Sequence, residues 1–304
     1  MPNQNNKNIE YGIEEGVKRL FIRITRDTLP RIADKYPFLY LERGRLEVDD
    51  SSIRWIDCSK NCVRIPVATI ACLLLGPGTT VTHEAIKTAS AANCVLCWTG
   101  EDSLLFYAAG FSPTADTRNL QRQAMLSVVP EYSLAVARQM FLRRFPGENL
   151  EGKDLHALMG MEGVRVRDFY LQKAEEYGVG WKGRSYIPGK FELSDTVNKI
   201  LTSCNAALYA IVTSVIHSMG YSPHLGFIHS GSPLPFVYDL ADLYKSDLCV
   251  DLAFYLTKKM AGKYNRYTVS EAFRKRVIER ELMKQIASDI EELLGERNAR
   301  RYCK

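Results

Sequence analysis

The sequence predicts an α+β chain: an N-terminal β-sandwich domain over residues 1–111, then a larger all-α catalytic domain over 112–304. Three observations carry this. From about Leu39 to Ala109, short apolar runs alternate with turn residues, the spacing of a small sandwich. After Gly110-Phe111-Ser112-Pro113, Gly and Pro thin out and the apolar spacing lengthens towards 3.6. Charge divides at the same place: 13 Lys/Arg match 13 Asp/Glu in residues 1–111, so the whole net charge of +5 falls in 112–304. A basic second half suits a phosphate-bearing partner, though a solvated helical surface gives the same excess.

The elements follow in order. Leu39–Val48 and Ile53–Asp57 flank Asp49-Asp50-Ser51-Ser52, a hairpin pattern. Val63–Pro66 and Ile70–Leu75 are further strands, the latter closed by Gly76-Pro77-Gly78. A helix runs from Thr82 to Ala91; Ala85 stands where a capping box needs Glu or Gln, so its start is poorly marked. Val95–Thr99 and Leu104–Ala108, joined by Gly100-Glu101-Asp102-Ser103, form a second hairpin. Helices are then expected over Asp116–Val128, Tyr132–Phe145, Leu155–Tyr177, Asp195–Met219, Phe236–Ala261 and Val269–Leu294. A loop around Trp181–Phe191 and a Gly/Pro-rich one over His217–Gly231 separate three of them.

Composition and motifs exclude much. The longest apolar runs are about six residues, against about twenty for a membrane helix, and the start MPNQNNKNIE has no apolar core of a secretory signal. A cytoplasmic protein with no membrane contact is expected. Its eight cysteines read as thiols. Cys94 and Cys97 with Cys58 and Cys62 would suggest zinc, but on a strand residues i and i+3 point to opposite faces, so these are read as core cysteines. There is no phosphate-binding G-x-x-x-x-G-K-[ST] loop, no G-x-G-x-x-G, no HExxH and no G-x-S-x-G elbow. ATP-dependent, nicotinamide-dependent and serine-nucleophile chemistries lose their usual signatures.

What remains is polar residues inside apolar helices. In HSGSPLPFVYDLADLYKSD, Asp239, Asp242 and Lys245 recur at intervals of three, a polar stripe on one side of a helix. Two carboxylates within a turn repel unless a cation or proton lies between them. An exposed face with an Asp–Lys pair explains the spacing equally well. His229 lies ten residues upstream across a Gly/Pro loop that can fold its imidazole back over the helix start, giving a mixed N/O donor set suited to Mg²⁺ or Mn²⁺. Glu162, in HALMGMEGVRVRDFY, sits among Met and Val beside Gly160 and Gly163. Two glycines in a helix interior cost about 1 kcal/mol each, which suggests something approaching the backbone there. A buried glutamate needs a partner; Arg165 at i+3 and a divalent cation both remain open.

Taken with IPVATIACLLLGPGTTVTHEAI, MEGVRVRDFYLQKAEEYGV, DTVNKILTSCNAALYAIVTSVIHSMGYSPHLGFIHSG and PLPFVYDLADLYK, the chain resembles the CRISPR adaptation integrase family, the universal CRISPR-associated endonuclease and integrase, and most nearly its Cascade-linked branch. The resemblance covers about residues 36–280. It implies that Glu162, His229 and Asp242 are metal ligands for Mg²⁺ or Mn²⁺, with Asp239 and Lys245 as further catalytic groups. Tyrosines near DNA ends fall on Tyr186 and Tyr209, and basic positions along the DNA path on Lys87, Arg165 and Arg266. The implied partners are a double-stranded DNA prespacer, CRISPR repeat DNA, a second copy of the chain and a small ferredoxin-fold CRISPR-associated subunit. The implied reaction is insertion of short DNA fragments by 3′-OH transesterification, with nuclease action on branched DNA or a non-catalytic DNA scaffold as rivals. Met159 and Ser232 depart from the pattern, standing where relatives often carry Arg and Lys.

Overall fold

The computed structural model describes residues 9–14, 17–22, 29–50, 52–100, 106–110, 117–185, 194–296, 299 and 302. β1 (Ile9–Glu14) and β2 (Val17–Ile22) pair as an antiparallel ribbon. Two four-stranded sheets follow. One has the order β10-β9-β7-β3, built from β3 (Tyr36–Leu41), β7 (Ile70–Leu75), β9 (Val95–Thr99) and β10 (Phe106–Gly110). In it β3 and β9 run parallel to β7, and β10 is antiparallel to β9. The other has the order β6-β5-β4-β8, from β4 (Gly44–Asp49), β5 (Ser52–Asp57), β6 (Cys62–Ile65) and β8 (Thr79–Val81). The hairpin expected around Asp49–Ser52 is the β4–β5 pair, and β9–β10 is the second; the segment joining β9 to β10 lies outside the described residues.

Every residue of β7 is buried, as a continuous apolar run covered on both faces should be. Leu73 and Leu75 face a core shared with Leu46, Ile53 and Trp55 of the second sheet, closed by Ala85 and Ala89 of α1 (His83–Ala91). Cys72 and Leu74 turn the other way, into the core of the helices. Cys94 and Cys97 split in the same manner, one to each core, which explains two buried thiols that do not converge. Cys58 and Cys62, read as core residues from sequence, are instead exposed near the β5–β6 turn. Thr82 caps α1 alone: its hydroxyl accepts from the Ala85 N–H at 3.3 Å without a reciprocal glutamate.

The helical part contains α2 (Arg118–Val128), α3 (Pro130–Arg144), α4 (Leu155–Tyr177), α5 (Thr196–Ser218), α6 (Pro235–Ala241), α7 (Asp251–Lys259), α8 (Arg266–Glu279) and α9 (Leu282–Leu294). α5 is its axis, packed against β7 and four later helices. By length and apolarity α5 alone among the described helices could cross a membrane, but it is buried within the protein, which is the physical reason for its composition. Two expected helices are broken. Phe236–Ala261 divides into α6, a turn, a π-helical segment over Ser246–Val250, and α7. Val269–Leu294 divides at Glu281, which takes a left-handed conformation (φ 46°) without glycine.

Gly44 shows how tightly the second sheet is closed. A Cβ there would press into the Trp55 ring and come within 2.5 Å of the Ile56 carbonyl oxygen. Gly44→Ala therefore lowers stability by about 1–3 kcal/mol, read as a shift in the urea unfolding midpoint.

Candidate metal and DNA-end site

The site is built on α6 and the loop before it. Pro235 occupies the first turn of α6, where its missing N–H is no loss. One turn on, Asp239 points away from solvent and is fully buried. Its Oδ2 accepts the backbone N–H groups of Phe227 (2.6 Å) and Ile228 (3.1 Å), and its Oδ1 accepts that of His229 (3.0 Å). The same Oδ1 takes the imidazole Nδ1–H at 2.8 Å. An ionised carboxylate has no hydrogen to give, so Nδ1 is the donor, and in the neutral ring Nε2 faces outward as a lone pair. Gly226 makes room for this: a Cβ there would lie 2.6 Å from Pro235 Cβ and 2.9 Å from Asp239 Oδ2.

Asp242 closes α6. Its Oδ2 stands 3.6 Å from His229 Nε2, and its Oδ1 is 2.6 Å from Lys245 Nζ. That ammonium lies 4.9 Å from the Tyr209 ring centre. Tyr209 meets Tyr238 edge-on at 5.1 Å, and Tyr238 meets His229 at 6.1 Å. The five side chains form a closed ring. Asp239 shares the stripe only in sequence: Tyr238, Asp242 and Lys245, at i, i+4 and i+7, make the open face, and Asp239 anchors the loop from inside. Tyr238 was not selected from sequence, although its i, i+4 relation to Asp242 places it there.

The electrostatics follow. The hydrogen bond to Asp239 lifts the His229 pKa above the ordinary value; burial opposes this, and the Asp242 charge adds to it. Burial disfavours the Lys245 charge, but Asp242 and then Tyr209 outweigh it and hold the amine above the usual lysine range. Burial pushes the Tyr209 phenol up, with Lys245 pulling against it.

The remaining candidates lie elsewhere. Glu162, on α4, is paired with Arg144 at 2.5 Å, not with Arg165. Arg165 instead pairs with Glu148 and covers the Phe145 ring at 4.8 Å. Among the described residues nothing outside the helix's own nearby backbone comes within 4 Å of a Cβ built on Gly160 or Gly163, so none of the described elements explains those glycines. Lys87 is exposed on α1 and paired with Glu84 at 2.8 Å. Arg266, at the start of α8, pairs with Glu42 and donates to Tyr267 Oη at 2.8 Å, at the rim of a cleft of about 190 Å³ between β3, α5 and α8. Tyr186 lies outside the described residues.

As a divalent-cation site this arrangement fits in part. His229 Nε2 and Asp242 Oδ2 are a nitrogen and an oxygen donor close enough to share one hard ion, and the carboxylate behind the imidazole is the usual support for a metal-bound histidine. Among the described residues no three His, Cys, Asp or Glu side chains close around such an ion, and Glu162 pairs with Arg144.

Two measurements probe the geometry. Stability gained from the His229 pair is full below the ordinary imidazole pKa and lost as pH rises through the raised one. The His229 ring resonances in NMR titration should therefore move at a higher pH than those of a free imidazole. Asp242→Asn lowers that midpoint and Asp239→Asn lowers it further. Gly226→Ala displaces Asp239 or the loop and costs about 1–3 kcal/mol, measured by chemical denaturation.

The comparisons with known proteins converge. Residues 142–292 match the family model described as CRISPR associated protein Cas1. The CRISPR-associated endonuclease Cas1 2 of Chlorobaculum tepidum is 60% identical over 96% of this chain and 98% of its own length. A solved TtCas1–DNA complex superposes with a TM-score of 0.64 at 36% identity, covering 88% of this chain and 100% of that one. A CAS1 protein from Thermotoga maritima, at 15% identity, shares the fold with a TM-score of 0.70 over 85% of this chain and 97% of its own. By family match, sequence identity and shared fold, this chain belongs to the Cas1 family of CRISPR-associated endonucleases.

Proposed function

We propose that the chain is a metal-dependent DNA integrase of CRISPR adaptation that joins short DNA fragments to the repeat array. The observation that carries this is His229 Nε2 facing Asp242 Oδ2 at 3.6 Å, with the imidazole locked from behind by buried Asp239. The catalytic unit is the helical part, residues 112–304.

Mg²⁺ or Mn²⁺, held by His229, Asp242 and Glu162, would supply Lewis acidity to the attacking hydroxyl and to the phosphate. The chain's own residues do the rest. The 3′-OH of the fragment attacks a repeat phosphodiester; its O–H proton leaves as the new P–O bond forms, the bond to the repeat's 3′ oxygen breaks, and that oxygen takes up a proton, so the step is proton-neutral. Asp239 fixes the His229 tautomer, so Nε2 is always presented unprotonated on its outward side when the ring is neutral. Lys245, charged across the physiological range, lies where it can oppose charge growing on the phosphate. The Tyr209 and Tyr238 rings offer faces to bases at a strand end, with Tyr186 as a third. Lys87, Arg165 and Arg266 contribute phosphate contacts along the DNA path.

Two strand ends joined at two positions require two centres, so the active species is a homodimer or larger. The remaining assignments, to the Cascade-linked branch, to a ferredoxin-fold partner subunit and to the cytoplasm, rest on the motif resemblance. Family membership supports a DNA substrate: TtCas1, 36% identical, is solved in complex with DNA.

Incubation with Mn²⁺, a prespacer duplex and a repeat-bearing plasmid tests the reading. Joined products are expected. Cut products alone favour the nuclease on branched DNA, and binding without either favours a scaffold. Asp242→Ala abolishes joining while DNA affinity, set mainly by phosphate contacts, stays within about tenfold; full joining by that variant refutes the role of Asp242.

A further inference from the structure

The loop that joins α5 to α6 delivers His229, and it is gripped at two points. Asp239 of α6 holds residues 227–229. The other grip comes from α2. Gln123 is fully buried there, and both ends of its side-chain amide are spent on this loop. Its Oε1 accepts the Ser222 N–H at 2.8 Å, and its Nε2 donates to the carbonyl oxygens of Ser222 at 2.9 Å and Leu225 at 2.7 Å. One turn earlier on α2, Asn119 Nδ2 donates to the Met219 carbonyl at 2.7 Å. The Gln123 partners lie 99 and 102 residues along the chain, so these are tertiary contacts and not a by-product of local spacing.

The loop presents two carbonyls and one N–H to this position, and a side-chain amide meets all three. A carboxylate would keep the N–H and face both carbonyls without a proton to offer; an apolar side chain would strand all three groups. The two grips nearly touch. Leu225 answers to Gln123 and Phe227 to Asp239, with Gly226 alone between them, lying close against Pro235 and Asp239. The Pro223 carbonyl accepts the Phe236 N–H at 3.1 Å, which ties the same stretch to the first turn of α6. A displacement of Leu225 is therefore passed through one residue to Phe227, and on to the His229 N–H that shares the Asp239 carboxylate. We propose that Gln123 is a positioning residue for His229: from α2 it sets where the 222–225 segment enters the site, and so how the imidazole stands against Asp242. This rests on the integrase reading above and adds to it a residue that acts through the loop.

The test compares Gln123→Met with Gly44→Ala in the full chain, at a temperature where circular dichroism shows both folded. Both lose stability, but Gly44 packs against Trp55 in the second sheet, so it controls for destabilisation alone. Single-turnover joining is measured with Mn²⁺, a prespacer duplex and a repeat-bearing plasmid. Gln123→Met should lower the maximal joining rate about a hundredfold, while the DNA concentration for half-maximal rate moves by less than about threefold. Gly44→Ala should keep both within about threefold. Backbone hydrogen exchange at Phe227, Ile228 and His229 should be about tenfold faster in Gln123→Met and unchanged in Gly44→Ala. A joining rate no lower than that of Gly44→Ala, or unaltered exchange at those three amides, overturns the proposal. Should Gln123→Met fail to fold, Gln123→Asn keeps the amide on a shorter stem and should lose about tenfold in rate with the same three amides exchanging faster; unaltered rate or exchange in that variant overturns the proposal equally. If the unaltered chain joins no DNA, the integrase reading fails, and the exchange measurement alone decides whether Gln123 holds the His229 loop.

Discussion

A buried carboxylate that accepts three backbone N–H groups and one imidazole N–H organises this protein's functional end. Asp239 has no solvent to stabilise it, and an unpaired charge at such a depth is worth several kcal/mol of destabilisation. Each charge-assisted hydrogen bond contributes about 1.5–3 kcal/mol, so the four donors together offset the burial and turn it into a geometric constraint. The loop 227–229 cannot move without breaking more than one of them. The direction of the His229 ring, the tautomer it adopts and the closeness of Asp242 are all consequences of that one anchorage. By contrast the exposed Lys87–Glu84 pair fixes nothing beyond its own two side chains, as surface ion pairs generally do.

The second constraint is the change of helical pitch after Asp242. Were α6 continued as a regular α-helix, Lys245 and the residues after it would rotate at a constant 3.6 per turn. Instead a turn intervenes, and the π-helical segment Ser246–Val250 begins directly behind Lys245. Such segments cost backbone energy and persist where neighbouring structure holds them. Here the hold is Asp251, the next residue, whose carboxylate meets Lys173 at 3.0 Å, Tyr177 Oη at 2.9 Å and Arg276 at 2.8 Å. Burial would raise its pKa, but Lys173, Tyr177 and Arg276 together draw it below the usual aspartate range. The clamp binds α4, α7 and α8 at one point, so the position of Lys245 is set by contacts on the far side of the π segment from it.

These two features mark how far the sequence could be read. α4 over Leu155–Tyr177 was legible to the residue, because Asp154 caps it and Gly178, at φ 64°, ends it with the conformation glycine favours. α5 was legible within a residue for the same kind of reason, with Asp195 as its cap. The breaks near Asp242 and at Glu281 were not, since neither uses Gly or Pro, the residues that mark a helix end in sequence. In the site, His229, Asp239, Asp242 and Lys245 were visible as a set, but the division of labour between a buried anchor and an open face depends on which side of α6 meets the loop. Arg144 as a partner of Glu162 was not visible for a related reason: i, i+3 spacing finds neighbours on one helix, such as Arg165, and Arg144 arrives from another.

Arg144–Glu162 and Arg266–Glu42 share a logic that bears on the proposed chemistry. Each joins a residue proposed above to meet a phosphate or a cation to an opposite charge within the chain, and the second crosses from α8 to the turn between β3 and β4. A basic groove lined only by unpaired arginines would hold any polyanion; one whose arginines are already satisfied rewards only a ligand that replaces each lost carboxylate contact. Removing one partner of a half-buried pair costs a few kcal/mol, more than a single phosphate contact returns. A duplex end that offers several phosphates at once can meet that cost where a mononucleotide cannot. On the integrase reading, these internal pairs would therefore set a threshold for DNA length and geometry, independently of any base the protein reads.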